Sequence, residues 1–225
     1  MIRVLFLLFS AMFIAGCATN GFVSSKDTVE TISSADLNEN TGIVFGSFTR
    51  NTQHKGIIEA VDYDKRSLRF RNVETGALYS IDKVDHKSLI WGGVKPHFEE
   101  EVLEGAVFAF VLPAGKYIIY DFYIEKYQHG SWTSKKVFSI PFEVAADKVS
   151  YLGRYNFNAT FGRNLLGFKV HDAGFWVLGD ELEKDKGYAN NIFPGIPLDN
   201  VLSVIPNEKE VQTPFVLFET ELEKE

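Results

Sequence analysis

Val107-Phe108-Ala109-Phe110-Val111-Leu112-Pro113-Ala114-Gly115-Lys116-Tyr117-Ile118-Ile119-Tyr120-Asp121-Phe122-Tyr123-Ile124-Glu125-Lys126 reads as two strands joined by a turn. Pro113 sets its own φ near that of a turn, and Gly115 reaches positive φ without a Cβ clash. In the second strand Tyr117, Ile119, Asp121 and Tyr123 take one face, and Ile118, Tyr120, Phe122 and Ile124 the other. Both faces are apolar enough to predict a central strand of a sheet.

Outward from this pair the same punctuation repeats. Ile43 to Phe48 predicts a strand buried partly on both faces. Ile57 to Tyr63 and Ser67 to Arg71, separated by Asp64-Lys65-Arg66, predict a hairpin. Leu68, Phe70 and Asn72 oppose Arg69 and Arg71, so the second of those strands has a wet side. Glu74-Thr75-Gly76 makes the next turn, and Ala77 to Ile81 the returning strand. Trp91 to Glu101 is irregular and reads as a long connection. Downstream, His129-Gly130-Ser131 turns into Trp132 to Ile140, and Val149 to Phe157 follows after Pro141 to Lys148. Strands about every ten residues with Gly or Pro turns predict a mainly β chain, an antiparallel β-sandwich. After Leu166 to Val170, Val177 to Ala189 predicts a short C-terminal helix whose Asp180, Glu181, Glu183, Lys184, Asp185 and Lys186 face water. Pro194 and Pro197 end it, Val201 to Ile205 reads as a last strand or packed tail, and Glu219 to Glu225 as a frayed acidic end.

Leu112-Pro113-Ala114-Gly115-Lys116-Tyr117, followed by Phe142-Glu143-Val144-Ala145-Ala146-Asp147-Lys148-Val149-Ser150-Tyr151-Leu152-Gly153, resembles a recurrent pattern. It is that of transthyretin-like or carboxypeptidase-regulatory-like sandwiches found in bacterial lipoproteins. Asp147 stands where the pattern commonly carries Gly. The resemblance spans Ala106 to Gly153 and implies a fold of that kind with no catalytic site to carry over; with the strand pattern, the expectation is a transthyretin-like or immunoglobulin-like sandwich.

The amino terminus supplies an address. Arg3 precedes an apolar run from Val4 to Ala15 broken only by Ser10, the layout of a secretory signal peptide and too short for a bilayer span of about 20 residues. Ile14-Ala15-Gly16 before Cys17, the only cysteine, resembles the lipobox of bacterial lipoproteins. The resemblance implies diacylglycerol on the Cys17 thiol, cleavage before it, acylation of the new terminus, and so a membrane-lipid partner; multiple chains anchor stably. Ala18 follows instead of the Asp that retains enterobacterial lipoproteins at the inner membrane, which implies an outer-membrane location, periplasmic or at the cell surface. The competing reading is an ordinary signal peptide with a chance cysteine. The expected organisation is residues 1–16 signal peptide, 17–42 lipidated tether, 43–205 β domain with helical appendage, and 206–225 tail. A flexible tether of that length spans about 25 to 30 Å.

Among the 225 residues, 30 acids against 23 bases give a net charge of −7 without a basic cluster, which disfavours nucleic acid as partner. With the one cysteine taken by lipid, the domain has no disulfide, so stability rests on a core that 20 Phe and 9 Tyr can build. His54, His86, His97, His129 and His171 show no metal-ligand spacing, and no cofactor motif is present. His171-Asp172 is the best local acid–base pair, but neighbours on a strand point to opposite faces. Gly46-Ser47-Phe48 lacks the second glycine of a nucleophile elbow. Glu99-Glu100-Glu101 offers carboxylates without a calcium-loop pattern and reads as a solvated run. Trp91, Trp132 and Trp176 are candidates for stacking against an envelope glycan, or else core residues. The expectation is a non-enzymatic binding or structural module of the envelope, with a protein or glycan partner. The alternatives are an envelope hydrolase with a discontinuous site and a subunit of a surface or secretion assembly.

Overall fold

The structure, a computed structural model, describes residues 23–24, 32–53, 58–59, 65–84, 96–126, 130–134, 138–163, 165–167, 169–211 and 216–218. In chain order the strands are β1 (Val23–Ser24), β2 (Thr41–Asn51), β3 (Ile58–Glu59), β4 (Lys65–Asn72), β5 (Leu78–Val84), β6 (Phe98–Glu99) and β7 (Leu103–Pro113). They continue with β8 (Gly115–Lys126), β9 (Gly130–Thr133), β10 (Ile140–Val144), β11 (Val149–Arg163) and β12 (Lys169–Gly179). Helix α1 (Leu182–Ile192), β13 (Val201–Ser203) and β14 (Val216–Phe218) complete the series. The chain is mainly β, in two sheets. The first runs β1-β5-β4-β8-β10 with β9 also on β8, and the second runs β14-β12-β11-β2-β7-β6 with β13 and β3 on β11.

The turn at Pro113–Gly115 does not make a hairpin. β7 pairs with β2 in the second sheet, while β8 pairs with β4 and β10 in the first, so the turn carries the chain across the core. Gly115 takes φ +149° there, and the Tyr117 hydroxyl donates to the Pro113 carbonyl at 2.8 Å, closing the corner. A second crossing lies at the same end, where β10 returns to the second sheet as β11. Asp147 stands in it at φ +55°, with its N–H donating to Thr41 O at 2.9 Å. β2 and β11 therefore both start from this corner end and pair in parallel, Val149 opposite Ile43. The expectation of a wholly antiparallel arrangement is corrected on this point. β1 on β5, β13 on β11 and β14 on β12 are parallel as well.

The interior between the sheets holds Leu68, Phe70, Tyr117, Ile119, Phe122 and Phe142 from the first and Val44, Phe48, Phe110, Leu152, Tyr155 and Trp176 from the second. β8 reaches it by changing parity. Arg69 pairs with Asp121 but Phe70 with Ile119, leaving Tyr120 as an extra residue in a β-bulge. Tyr117 and Ile119, then Phe122 and Ile124, are buried, whereas the alternation read from sequence put Tyr123 with Ile119 and Phe122 opposite. Asp121 holds the bulge by accepting from its neighbour Phe122 N at 2.8 Å, Ser134 N at 3.1 Å and Arg69 Nη1 at 2.8 Å. Outside, the Arg69 guanidinium lies 5.3 Å from the Tyr123 ring and that of Arg71 5.7 Å from Tyr120, so the wet side of β4 is as expected.

A second apolar cluster covers the outer face of the other sheet. Ala189, Phe193, Ile196 and Leu198, from α1 and the segment after it, pack on Ile43, Phe45, Val107, Ala109 and Tyr151. This is why β2 is buried on both faces, more fully than its sequence implied. α1 starts at Leu182, and Val177–Gly179, read as helix, belongs to β12. Ile58–Glu59 pairs with Ala159 and Thr160 of β11, so the expected hairpin with Ser67–Arg71 is replaced by a pairing across the second sheet. Order also begins before residue 43: Ile32 is buried, and Ser34 N donates to Gly195 O at 2.9 Å, so residues 32–42 belong to the domain instead of to a tether. At the other end β14 pairs with Trp176–Leu178, bringing part of the 206–225 tail into the sheet. No helix among the described residues is long and apolar enough to cross a membrane.

Candidate functional site

Asp185 is the most deeply committed charge among the described residues. It sits on α1 three residues after Leu182 and four before Ala189, hence on the face that docks on the second sheet, and is 0% exposed. A buried carboxylate must be paired and hydrogen-bonded to persist there. Its Oδ2 accepts from Ser47 Oγ on β2 at 2.6 Å and from the Tyr151 hydroxyl on β11 at 2.7 Å. Its Oδ1 accepts from Arg154 Nη2 at 2.5 Å and Nε at 3.1 Å. Both oxygens are thus filled by two strands.

Arg154 extends the network outward. Its Nη1 donates to Glu100 Oε1 at 2.9 Å, which also accepts from Tyr188 on α1 at 3.2 Å. The guanidinium carbon lies 5.3 Å from the Phe98 ring, and Phe98 stacks on Tyr188 with centroids 3.9 Å apart. Burial alone would lower the Arg154 pKa, but its bonds to Asp185 and Glu100 outweigh that and hold it above its ordinary value. Burial, then the Asp185 charge, drives the Tyr151 phenol far above its usual range, and Glu181 N donates to its oxygen at 3.3 Å. Ser47 and Tyr151 are both 0% exposed, and the Asp185 carboxylate they bond is also held by Arg154, so neither hydroxyl is presented to solvent.

Beside this network a recess of about 250 Å³ is lined by Glu100, Arg154, Asn156, Glu181 and Lys184. Lys184 Nζ pairs with Glu181 at 2.9 Å, which raises the lysine pKa, and Arg154 is spent on two carboxylates. The arrangement is a latch between helix and sheet. Arg154 and Lys184 pair within the wall with Asp185, Glu100 and Glu181, three acids against two bases, so each of these charges has a partner inside the latch.

The residues singled out in the sequence fall elsewhere. Trp176 is 0% exposed in the core, 4.9 Å from the Phe157 ring and 5.6 Å from Phe48, so it packs and does not present a stacking surface. Trp132 is half-buried on β9 opposite Ile124 and packs against the same core. Trp91, Cys17, His54, His86 and His129 lie outside the described residues. His97 accepts the Val107 N–H through Nδ1 at 3.1 Å, a β-edge contact. His171 and Asp172 are in β12, where His171 pairs with Phe161. Of the three glutamates, Glu99 and Glu101 are exposed, but Glu100 turns inward to Arg154, so the run is not wholly solvated. Among the described residues no group of three or more His, Cys, Asp or Glu is placed to hold a metal ion.

Ser47, Tyr151, Arg154 and Asp185 were not singled out together by sequence, because they come from positions 138 residues apart at the extremes. One signal was available: Leu182, Asp185, Ala189 and Ile192 recur at helical spacing, which puts Asp185 on the docking stripe.

No family model matches the chain, and no curated protein matches it. Among solved structures, a leucine-rich repeat protein from Bacteroides thetaiotaomicron is 15% identical with a TM-score of 0.31, over 51% of this chain and 13% of that one. A protein assigned to cell adhesion from Parabacteroides distasonis is 7% identical with a TM-score of 0.27, over 61% of this chain and 41% of that one. Similarity at this level carries no argument about role, and function is argued from the chain's own residues.

Proposed function

We propose that the chain is an outer-membrane lipoprotein, held through acylated Cys17 in the periplasm or at the cell surface, that serves as a non-enzymatic binding or structural module of the envelope. The two sheets then form a sandwich of the transthyretin-like or immunoglobulin-like kind, with a helix laid on one outer face. The observation that carries the non-enzymatic reading is the Asp185 latch. This convergence of ionisable side chains is engaged in docking α1 on the second sheet. The address rests on Ile14-Ala15-Gly16-Cys17 after an apolar run.

Cys17→Ala tests the anchor. The full chain fractionates with membranes and resists high-salt and carbonate washes, while the variant moves to the soluble fraction. Membrane retention of the variant after both washes would sink the reading. An alternative, a subunit of a surface assembly, is favoured by Leu165 and Leu166, which stand exposed at a strand tip.

A further inference from the structure

Two apolar features lie at opposite ends of the sheets. The corner end carries Pro113–Gly115 and the start of β11; the other end carries Arg163, the close of that 15-residue strand. At about 3.3 Å per residue the separation is about 50 Å. At the far tip, between β11 and β12, Leu165 is 105% and Leu166 79% exposed. The Arg163 Nη1 donates to Gly167 O at 2.9 Å across the loop, and Gly167 takes φ +79°, so the leucines are held on a closed turn.

At the corner end a cavity of about 480 Å³ opens beside the edge strand β10. Val73, Ile118, Phe142, Val204, Ile205 and Pro206 line it, and exposed Glu143 and Glu210 stand at its rim with Lys116. Two apolar side chains on a turn suit a mostly apolar recess of this volume. The charges match too, since exposed Arg163 borders the tip and two acids against one base border the recess.

We propose that the Leu165–Leu166 tip of one copy seats in the Val204–Pro206 recess of a second copy of this chain. Knob and socket are different surfaces, so the contact is heterologous and runs head to tail, extending until the rotation between copies closes a ring. A tip-to-tip dimer is disfavoured because it would bring two Arg163 side chains together. The inference does not depend on acylation of Cys17, which the fractionation experiment tests separately.

The test uses the full chain purified in detergent from an equal mixture of unlabelled and 15N-labelled protein, with p-benzoyl-phenylalanine in place of Leu166. Irradiation is expected to give mixed-isotope crosslinks from the tip to residues 141–143 or 204–206. Leu165→Asp with Leu166→Asp, in otherwise unmodified chain, is expected to lower concentration-dependent association at least tenfold, measured by sedimentation with the fold checked by circular dichroism. Arg163→Glu and Glu143→Lys each weaken it, and the two together restore it. Crosslinks confined to one copy, to detergent or lipid, or to another surface would overturn the proposal. So would undiminished association of the double-Asp variant, or a full chain that stays monomeric throughout.

Discussion

Asp185 shows how one residue can hold two elements together. Removing its carboxylate leaves Arg154 buried with Glu100 as its remaining acid. Breaking a buried pair from one side costs about 3–5 kcal/mol, so Asp185→Ala is expected to lower unfolding free energy by that amount in urea titration. Replacing both partners, Asp185→Leu with Arg154→Met, is expected to cost less than the sum of the singles. Additive costs would show that the two charges do not act as a pair. Tyr151→Phe removes one bond to Asp185 and is expected to cost about 1–2 kcal/mol. Asp147 makes a smaller, opposite case. A non-glycine residue at φ +55° is strained by about 1 kcal/mol, so Asp147→Gly is expected to leave stability unchanged or raise it by up to about 1 kcal/mol. A melting temperature several degrees lower would contradict that account.

Among the elements, β11 organises the second sheet, pairing with β12 on one side and with β2, β3 and β13 along others. Its register shifts between Tyr151 and Arg154, and Gly153 sits in the shift at φ +105°. A Cβ there would come 2.5 Å from Leu178 Cδ1, and Gly46 opposite leaves room only because it too has no side chain, its virtual Cβ lying 2.6 Å from Gly153 O. Gly153→Ala is therefore strained in backbone and in packing, and is expected to cost about 2–3 kcal/mol, read as a shift in the urea midpoint. The shift also turns Arg154 to the α1 side, where it meets Asp185. A strand of this length announces itself through alternation and turn residues, but alternation carries no record of a slipped register. That is why the bulges at Tyr120 and Gly153 escaped the sequence reading while the strands themselves did not.

At the scale of the molecule, stability depends on phenols packed in and around the core. Burial pushes the Tyr117 pKa up to about 12 and drives those of Tyr155 and Tyr151 higher. An unfolded tyrosine ionises near pH 10, so below that both states hold the proton and the fold keeps its full stability. From pH 10 to 12 the unfolded chain loses protons that the folded chain retains, and stability falls. Alkaline unfolding followed by circular dichroism should therefore coincide with tyrosinate absorbance of the buried set in that window. Complete titration of the tyrosines near pH 10 with the fold intact would refute the assignment.

Composition and punctuation alone determined a mainly β chain, the apolar two-faced strand β2, the corner chemistry of Pro113 and Gly115, and a helix near Leu182, because local periods and turn residues are local physics. Ile14-Ala15-Gly16-Cys17 likewise supplied the expected address without any fold. Only the tertiary structure decided that the Pro113 turn joins two sheets, that β2 and β11 run parallel, and that Trp176 is core. It alone brought Ser47, Tyr151, Arg154 and Asp185 together. Those outcomes depend on which distant surfaces meet, and a buried charge looks like a solvated one until its partners arrive from elsewhere in the chain.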